Sequence, residues 1–388
     1  EMLASMASTE GAAARARSLS PTDDYDTILL RQRRTDDAKR LINAKGYPSF
    51  GAPEGVVPSA ERAYKGAVLS PRELLDIASL LYSSRMLQDY IKTDKLFDTS
   101  LDELFDRILI SRTLEDRIRK SIISEDMIAD EASPELADIR RKIRNTNNKI
   151  KDTLQSYIGG NRLKYLQENI VTMRNGRYVV PVKQEHKNEI KGLVHDTSGT
   201  GATLFIEPMS VVEANNELRT LMGQEQTEIE RILAEFSSDI ANFGMQLFNN
   251  YRNITEIGFY FACAELSYKM NAIEPVINEK KIIVLERARH PLLNKEKVVP
   301  INVSLGEGYR MIVVTGPNTG GKTVTLKTIA LFSLLNQAGF PVPAKDGTKL
   351  PIFKSVFADI GDEQSIEQSL STFSSHMTNI VSILKTAT

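Results

Sequence analysis

The residues best suited to chemistry lie in one glycine-rich stretch late in the sequence. Its pattern, G-x-x-x-x-G-K-[ST], is typical of a phosphate-binding loop, and its members are Gly316, Pro317, Asn318, Thr319, Gly320, Gly321, Lys322 and Thr323. Glycines allow backbone N–H groups to curl around phosphates at the positive end of a helix dipole. Lys322 would bring a positive charge to the β- and γ-phosphates, and the Thr323 hydroxyl would ligate Mg²⁺. The stretch therefore predicts a site for ATP and Mg²⁺.

The neighbouring segments predict the elements that would hold this loop. Met311–Thr315 is an apolar run typical of a buried strand, and Val324–Ala338 has the pattern of a helix. Hydrolysis by such a loop also needs a second, acidic strand that holds Mg²⁺ and polarises water. Phe353–Asp359 ends in one aspartate and runs into a loop, so Asp359 or Asp362 could be mistaken for that carboxylate. We therefore expect a nucleotide site whose hydrolytic core is unfinished.

A second candidate site is a locally basic β-rich insert at residues 170–208. Two β-rich stretches flank Asn175-Gly176, the strongest short hairpin signal, and two more short strands follow. The basic side chains of the insert are Arg174, Arg177, Lys183, Lys187 and Lys191. They fit either a solvated hairpin or a tip that grips the phosphates of a nucleic acid.

Two long helical patterns flank the insert. Glu135–Tyr157 carries apolar residues at spacings of three and four, and a matching pattern runs from about Met209 to Asn250. Two long helices with a compact insert between them predict an antiparallel arm with a tip. The preceding residues have helical patterns only, and strands alternate with helices after Asn271, which predicts an α/β domain.

Composition limits the function classes. The 388 residues carry 49 basic and 50 acidic side chains, so the net charge of −1 argues against a globally basic coat for nucleic acid. A single cysteine excludes a disulfide framework, and the four histidines lack metal-ligand spacing. Apolar runs are far shorter than the roughly 20 residues that span a bilayer, and the first residues lack the apolar core of a signal peptide. We expect a cytoplasmic protein with no membrane partner.

Several stretches together resemble the MutS family of ATPases, and most closely its second bacterial branch, which lacks a mismatch-reading domain. The stretches that resemble the ATPase motifs are Arg289–Leu293, Thr315–Thr323, Phe340–Ala344 and the Ser-Thr-Phe helix at Ser371–Met377. The stretches that indicate the branch are Ala132–Leu136, Arg177–Lys183 and Gly201–Pro208. The resemblance covers nearly the whole chain.

The resemblance implies a multidomain α plus α/β fold. Its parts would be a helical core at 1–134, long antiparallel lever helices at 135–169 and 209–270, a β-rich clamp insert at 170–208, and an incomplete ABC-type P-loop ATPase domain at 271–388. It also implies a homodimer in the full-length protein, with Ser371 reaching the partner's nucleotide. The Walker B strand and a nuclease-like domain would follow Thr388.

Three functions remain open at this point. The resemblance implies an ATP-dependent clamp acting on branched DNA, to suppress recombination, or on stalled and collided ribosomes. This chain could instead be a non-catalytic fragment that dimerises and binds nucleic acid, because Walker B is absent. An ATPase like SMC or Rad50 proteins also combines a P-loop with a coil, but there the loop precedes the coil, whereas here it follows.

Overall fold

The computed structural model describes residues 1–317, 320–359 and 369–386. The chain divides into two compact units. Unit 1 comprises residues 1–54, 80–110 and 248–388, and unit 2 comprises residues 55–79 and 111–247. Two helices contribute residues to both units, and each unit is a discontinuous set of segments.

The elements of the described residues are mixed helix and short strand. The helices are α1 Glu10–Arg17, α2 Tyr25–Lys45, α3 Val56–Tyr64, α4 Pro71–Lys92, α5 Asp102–Asp106, α6 Arg112–Ser121, α7 Pro134–Ile158, α8 Val212–Met270, α9 Lys322–Gln337 and α10 Ser369–Thr386. The strands are β1 Ile122–Ser124, β2 Met127–Ile128, β3 Thr172–Arg174, β4 Arg177–Lys183, β5 Gly192–Thr197, β6 Thr203–Pro208, β7 Val276–Asn278, β8 Ile283–Ala288, β9 Ile301–Leu305 and β10 Lys349–Pro351. No described helix combines the length and the apolar character needed to cross a membrane.

In unit 2, α7 pairs antiparallel with the first part of α8. Ser133 Oγ donates to Glu228 at 2.6 Å, and Arg140 Nε donates to Glu225 at 2.6 Å, so residue numbers rise along α7 as they fall along α8. Ser133 also caps α7 by accepting from the N–H of Leu136, which satisfies one donor of the first turn. The apolar seam of α7 includes Ile150 and Leu154, which lie four residues apart on the same face of the helix.

The insert forms a four-stranded antiparallel sheet in the order β3-β4-β6-β5. Asn175 and Gly176 adopt φ of +52° and +72° in the turn between β3 and β4, as a tight hairpin of matching twist requires. One face of β4 and β6 is buried with the ends of α7 and α8, in a core that includes Val180, Ile206 and Leu218. Burial of each such side chain stabilises the folded state by roughly 1.5–3 kcal/mol. The helix pair therefore holds this sheet by its apolar face.

Unit 1 contains a second sheet, ordered β7-β10-β8-β9. Its core cluster includes Leu285 of β8 and Phe332 of α9, so the sheet supports the helix that follows the glycine-rich loop. The far end of α9 is tied to α2, because Gln32 Nε2 donates to Asn336 Oδ1 at 3.1 Å. Gln337 Nε2 donates to the Thr22 carbonyl at 3.1 Å. Helices α1 and α2 and the α/β segment thus lie in one compact unit. The domain boundaries at 134 and 271 remain predictions.

Candidate nucleotide and nucleic-acid sites

The glycine-rich loop joins an extended segment to the first turn of α9. Gly316 has φ +144° and Gly321 has φ +80°, conformations that favour glycine, and a Cβ built at either would meet no atom within 4 Å. The N–H of Gly320 donates to the Pro317 carbonyl at 3.0 Å, which closes the bend. Asn318 and Thr319 lie outside the described residues. The space beside Gly316 and Gly321 is therefore free of atoms of the other described residues.

Lys322 and Thr323 form the first turn of α9, whose N-cap is the left-handed Gly321. Lys322 Nζ donates to the Gly316 carbonyl at 2.7 Å, which folds the lysine side chain back across the loop. Thr323 is exposed at the positive end of the helix dipole. An open glycine loop, a lysine and a hydroxyl at the start of a helix fit a polyphosphate with its Mg²⁺.

The segment before the loop corrects the predicted strand at Met311–Thr315. It belongs to no described sheet, and Met311 and Val313 are each 76% exposed. A strand needs a hydrogen-bonding neighbour, and the described sheet ends at β9. A groove of about 570 Å³ lies among β9, this segment and α9, lined in part by Val303, Ile312 and Leu326. The sequence does contain the apolar run, but no strand pairs with this segment among the described residues.

The predicted acidic residues are placed only in part. Asp359 Oδ2 contacts His376 Nδ1 at 2.8 Å, and Asn379 Nδ2 donates to Asp359 Oδ1 at 2.9 Å. These hydrogen bonds, from Asn379 first and then His376, hold the pKa of Asp359 below its ordinary value. Asp359 is thereby engaged by α10, and the predicted strand at Phe353–Asp359 does not form. Asp362 lies outside the described residues.

Two further motif residues lie near these elements. Ser371 belongs to α10, but its side chain is outside what the structure describes. His290 follows β8, and its Nδ1 accepts from the N–H of Leu292 at 3.3 Å. Burial, with the positive charge of Lys327 on α9 as the second cause, lowers the pKa of His290. Both causes favour the neutral imidazole of His290.

The five basic residues of the insert separate into two groups. Arg177 and Lys183 are the two ends of β4, about 20 Å apart at 3.3 Å per residue. Arg174 and Lys191 lie toward the Arg177 end, because Arg174 pairs with Arg177 and Lys191 precedes β5, whose first residue faces Pro208. Lys187 lies on the short 3-10 segment that runs from Lys183 back toward the start of β5. The predicted group therefore does not form one surface.

The arginines of the first group are engaged inside the insert. Arg174 Nε lies 3.3 Å from Asp196, and its guanidinium lies 4.2 Å from the ring centroid of Phe205. Arg177 Nη1 donates to both oxygens of Glu207, at 2.8 and 3.0 Å. Arg177 therefore positions the sheet through its buried ion pair with Glu207. Arg174 has an exposed ion pair with Asp196 and remains a predicted phosphate contact.

Glu207 is a buried carboxylate with several hydrogen-bond partners, and no pattern in the sequence indicates it. Its carboxylate is fully buried, and besides Arg177 it contacts His195 Nε2 at 2.5 Å and accepts from Asn215 Nδ2 at 2.7 Å. A buried carboxylate is tolerated only when charged and polar partners replace its lost hydration. The partners come from β4, β5 and α8, so no local pattern could reveal them.

Two aromatic rings that the sequence analysis did not single out, Tyr165 and His186, lie close together near the Lys183 end of the insert. The rings of Tyr165 and His186 are 5.2 Å apart, and Lys164 Nζ lies 4.9 Å from the Tyr165 ring centroid. The sequence does place basic residues next to an aromatic ring in both stretches, 162–165 and 183–187. Sequence alone does not bring these two stretches together, whereas the bridge between Leu166 and Val182 does.

Comparison with known proteins finds a matching family model and several relatives of this chain. A family model described as MutS domain V matches residues 312–388. The protein named Endonuclease MutS2 from Acetivibrio thermocellus is 50% identical over 99% of this chain and 49% of its own length. The proteins of that name from Ruminiclostridium cellulolyticum and Caldanaerobacter subterraneus are 49% and 47% identical, over 94% and 93% of this chain and 47% and 46% of their own lengths. The chain thus spans about half the length of the curated relatives it matches.

Proposed function

Because the chain belongs to the MutS2 branch of the MutS family, we propose that it binds ATP with Mg²⁺ and clamps nucleic acid as part of a longer ATP-dependent protein. The geometry of the glycine-rich loop carries the nucleotide half of this proposal. The family relationship supports the nucleic-acid half. The relatives are named endonucleases, and we assign the described residues of this chain to binding rather than to strand cleavage.

Each residue of the loop has a separate task in this proposal. Gly316 and Gly321 let the backbone N–H groups turn toward the phosphates without a Cβ in the way. Lys322 exchanges its contact with the Gly316 carbonyl for the stronger, charge-assisted contact with phosphate oxygens. Thr323 offers its hydroxyl to Mg²⁺, and the dipole of α9 adds favourable potential for the anion. When bound, Mg²⁺ would neutralise charge on the phosphates.

We propose that this chain by itself holds ATP without appreciable turnover. Among the described residues, the aspartate nearest in pattern to the second acid, Asp359, already accepts hydrogen bonds from two residues. A carboxylate engaged in this way would have to leave His376 and Asn379 before it could hold Mg²⁺. Measurable ATP hydrolysis by the chain that Lys322→Ala abolishes would contradict the proposal.

Nucleotide binding is tested with a fluorescent ATP analogue, with and without Mg²⁺. Lys322→Ala should weaken binding at least tenfold, about 1.4 kcal/mol, because it removes the positive charge that faces the phosphates. Lys327→Ala is the matched control, since it removes an exposed lysine from the same helix outside the loop. Equal loss in both variants, or no loss in Lys322→Ala, would remove the loop from the proposal.

The nucleic-acid target is either branched DNA or a stalled, collided ribosome. The two are separated by incubating the chain with four-way junctions and with ribosomes at about 0.15 M salt, where nonspecific phosphate contacts are weakened. Retention of junctions without ribosomes would exclude the ribosome as target, and the reverse would exclude branched DNA. Retention of neither would contradict the clamp itself.

We also propose that the longer protein acts as a homodimer in which the helix that carries Ser371 reaches the partner's nucleotide. In such an arrangement, assembly should depend on bound ATP, because the nucleotide would lie between the protomers. Light scattering of the longer protein with and without ATP tests this. A monomer under both conditions would contradict it.

A further inference from the structure

A cleft on the insert of unit 2 lies at the Lys183 end of β4, opposite the end that holds Arg177. We call it the tip cleft, and its volume is about 650 Å³. Its lining residues are Gln167, Lys183, Gln184, Glu185 and Ala202. This volume falls in the range of sites for small organic ligands, and a single nucleotide is of that size.

The backbone fixes the positions of the two glutamines in the tip cleft. The N–H of Gln167 donates to the Pro181 carbonyl at 2.9 Å, and the N–H of Gln184 donates to the Ala202 carbonyl at 3.1 Å. Both side chains are exposed, so their amides can donate and accept toward a ligand. An amide is the side-chain group that matches the mixed donors and acceptors along the edge of a base.

Charge and aromatic surface continue from the tip cleft. Among the described residues, Lys183 Nζ makes one long contact of 3.4 Å, to the Lys164 carbonyl. Lys187 is exposed on the following 3-10 segment. The carboxylate of Glu185 offsets part of the positive charge of these lysines. Its Oε1 lies 3.5 Å from His186 Nε2. The His186 ring is partly exposed and stands against the Tyr165 ring. Cations beside accessible aromatic rings are the arrangement that holds successive nucleotides of a single strand.

We propose that the tip cleft and the adjoining Tyr165–His186 pair bind an unpaired stretch of nucleic acid. One base lies between the amides of Gln167 and Gln184, the phosphates face Lys183 and Lys187, and the next base stacks on His186. A continuous duplex offers phosphates but no free base faces, so it gains only the lysine contacts. This inference rests on the proposed nucleic-acid clamp and names the part of its substrate that the insert holds.

The test measures binding by fluorescence anisotropy of the whole 388-residue chain. The probes are single strands about 12 nucleotides long, in DNA and in RNA, and a blunt DNA duplex of the same sequence. The wild-type chain should bind single strands more tightly than the duplex, and the DNA and RNA arms show which sugar is preferred. His186→Ala should weaken single-strand binding about fivefold or more and leave duplex binding unchanged, because only an unpaired base can stack.

A second readout reports stacking directly. A single strand carrying 2-aminopurine should lose fluorescence on binding the wild-type chain, and His186→Ala should abolish this quenching. Lys183→Gln should keep the quenching but reduce the slope of log affinity against log salt by about 0.7, the value for one single-strand phosphate. Lys191→Gln is the matched control, because it makes the same charge change on the same insert away from the tip cleft.

Each result bears on the inference. Equal effects of Lys183→Gln and Lys191→Gln, or quenching that survives His186→Ala, would overturn the tip cleft as the site. Binding of duplex or junction without single strands would overturn the inference while leaving the clamp proposal intact. Binding of no nucleic acid would contradict the clamp proposal itself. Thermal unfolding of each variant checks that the substitutions leave the fold unchanged.

Discussion

Glu207 supports the most direct test of how the insert is held together. Its fully buried carboxylate faces four donor contacts, two from Arg177 and one each from His195 and Asn215. Glu207→Gln keeps the shape but removes the negative charge, which leaves the Arg177 guanidinium, only 16% exposed, without its counter-charge. Breaking a buried ion pair in this way costs about 3–5 kcal/mol. Because Arg177 keeps slight access to water, we expect about 3 kcal/mol.

The assay must report on unit 2 alone, because a chain with two compact units need not unfold in one step. Native-state hydrogen exchange of amides in β4 and β6 gives the opening free energy of the insert sheet directly. Glu185→Gln is the matched control, since its carboxylate is 73% exposed and should cost no more than about 0.5 kcal/mol.

A double-mutant cycle separates the pair from the rest of the network. With Arg177→Met already present, Glu207→Gln no longer strands a positive charge, so its cost should fall by at least about 1 kcal/mol. A cost below about 1 kcal/mol for Glu207→Gln alone, or costs that simply add in the double variant, would refute the view that this ion pair holds the sheet.

Three smaller predictions follow from unit 1. Gly339→Ala should destabilise unit 1 by more than about 1 kcal/mol in urea unfolding, because φ at this residue is +74° and the new Cβ would lie 2.3 Å from Cβ of Arg31. An unchanged urea midpoint would contradict this prediction. His290 should titrate below its ordinary pKa by NMR, and Lys327→Met should raise that pKa only part of the way, since burial is the larger cause. Cys263 should resist a thiol reagent in the native chain and react once when denatured, because burial raises the pKa of its thiol and hides it from solvent.

Local patterns were sufficient wherever the physical cause was local. Asn175-Gly176 predicted the hairpin because the turn itself demands positive φ, and both residues adopt it. The spacing of three and four along residues 135–157 predicted a long helix with one apolar face, since helical periodicity is a property of a single segment. The glycines of the phosphate-binding loop could be predicted for the same reason, because a positive φ is a property of a single residue.

Tertiary structure decided what depends on partners distant in sequence. The apolar run at Met311–Thr315 was indistinguishable from a buried strand, but a strand exists only where another one pairs with it. Arg177 looked like a phosphate ligand until the fold brought Glu207 to it from another strand, while Lys183 kept only one long contact. The sequence by itself determined the local elements and the chemistry available to them. Which charges remain free for a ligand was settled by long-range packing, because only packing decides which side chains meet.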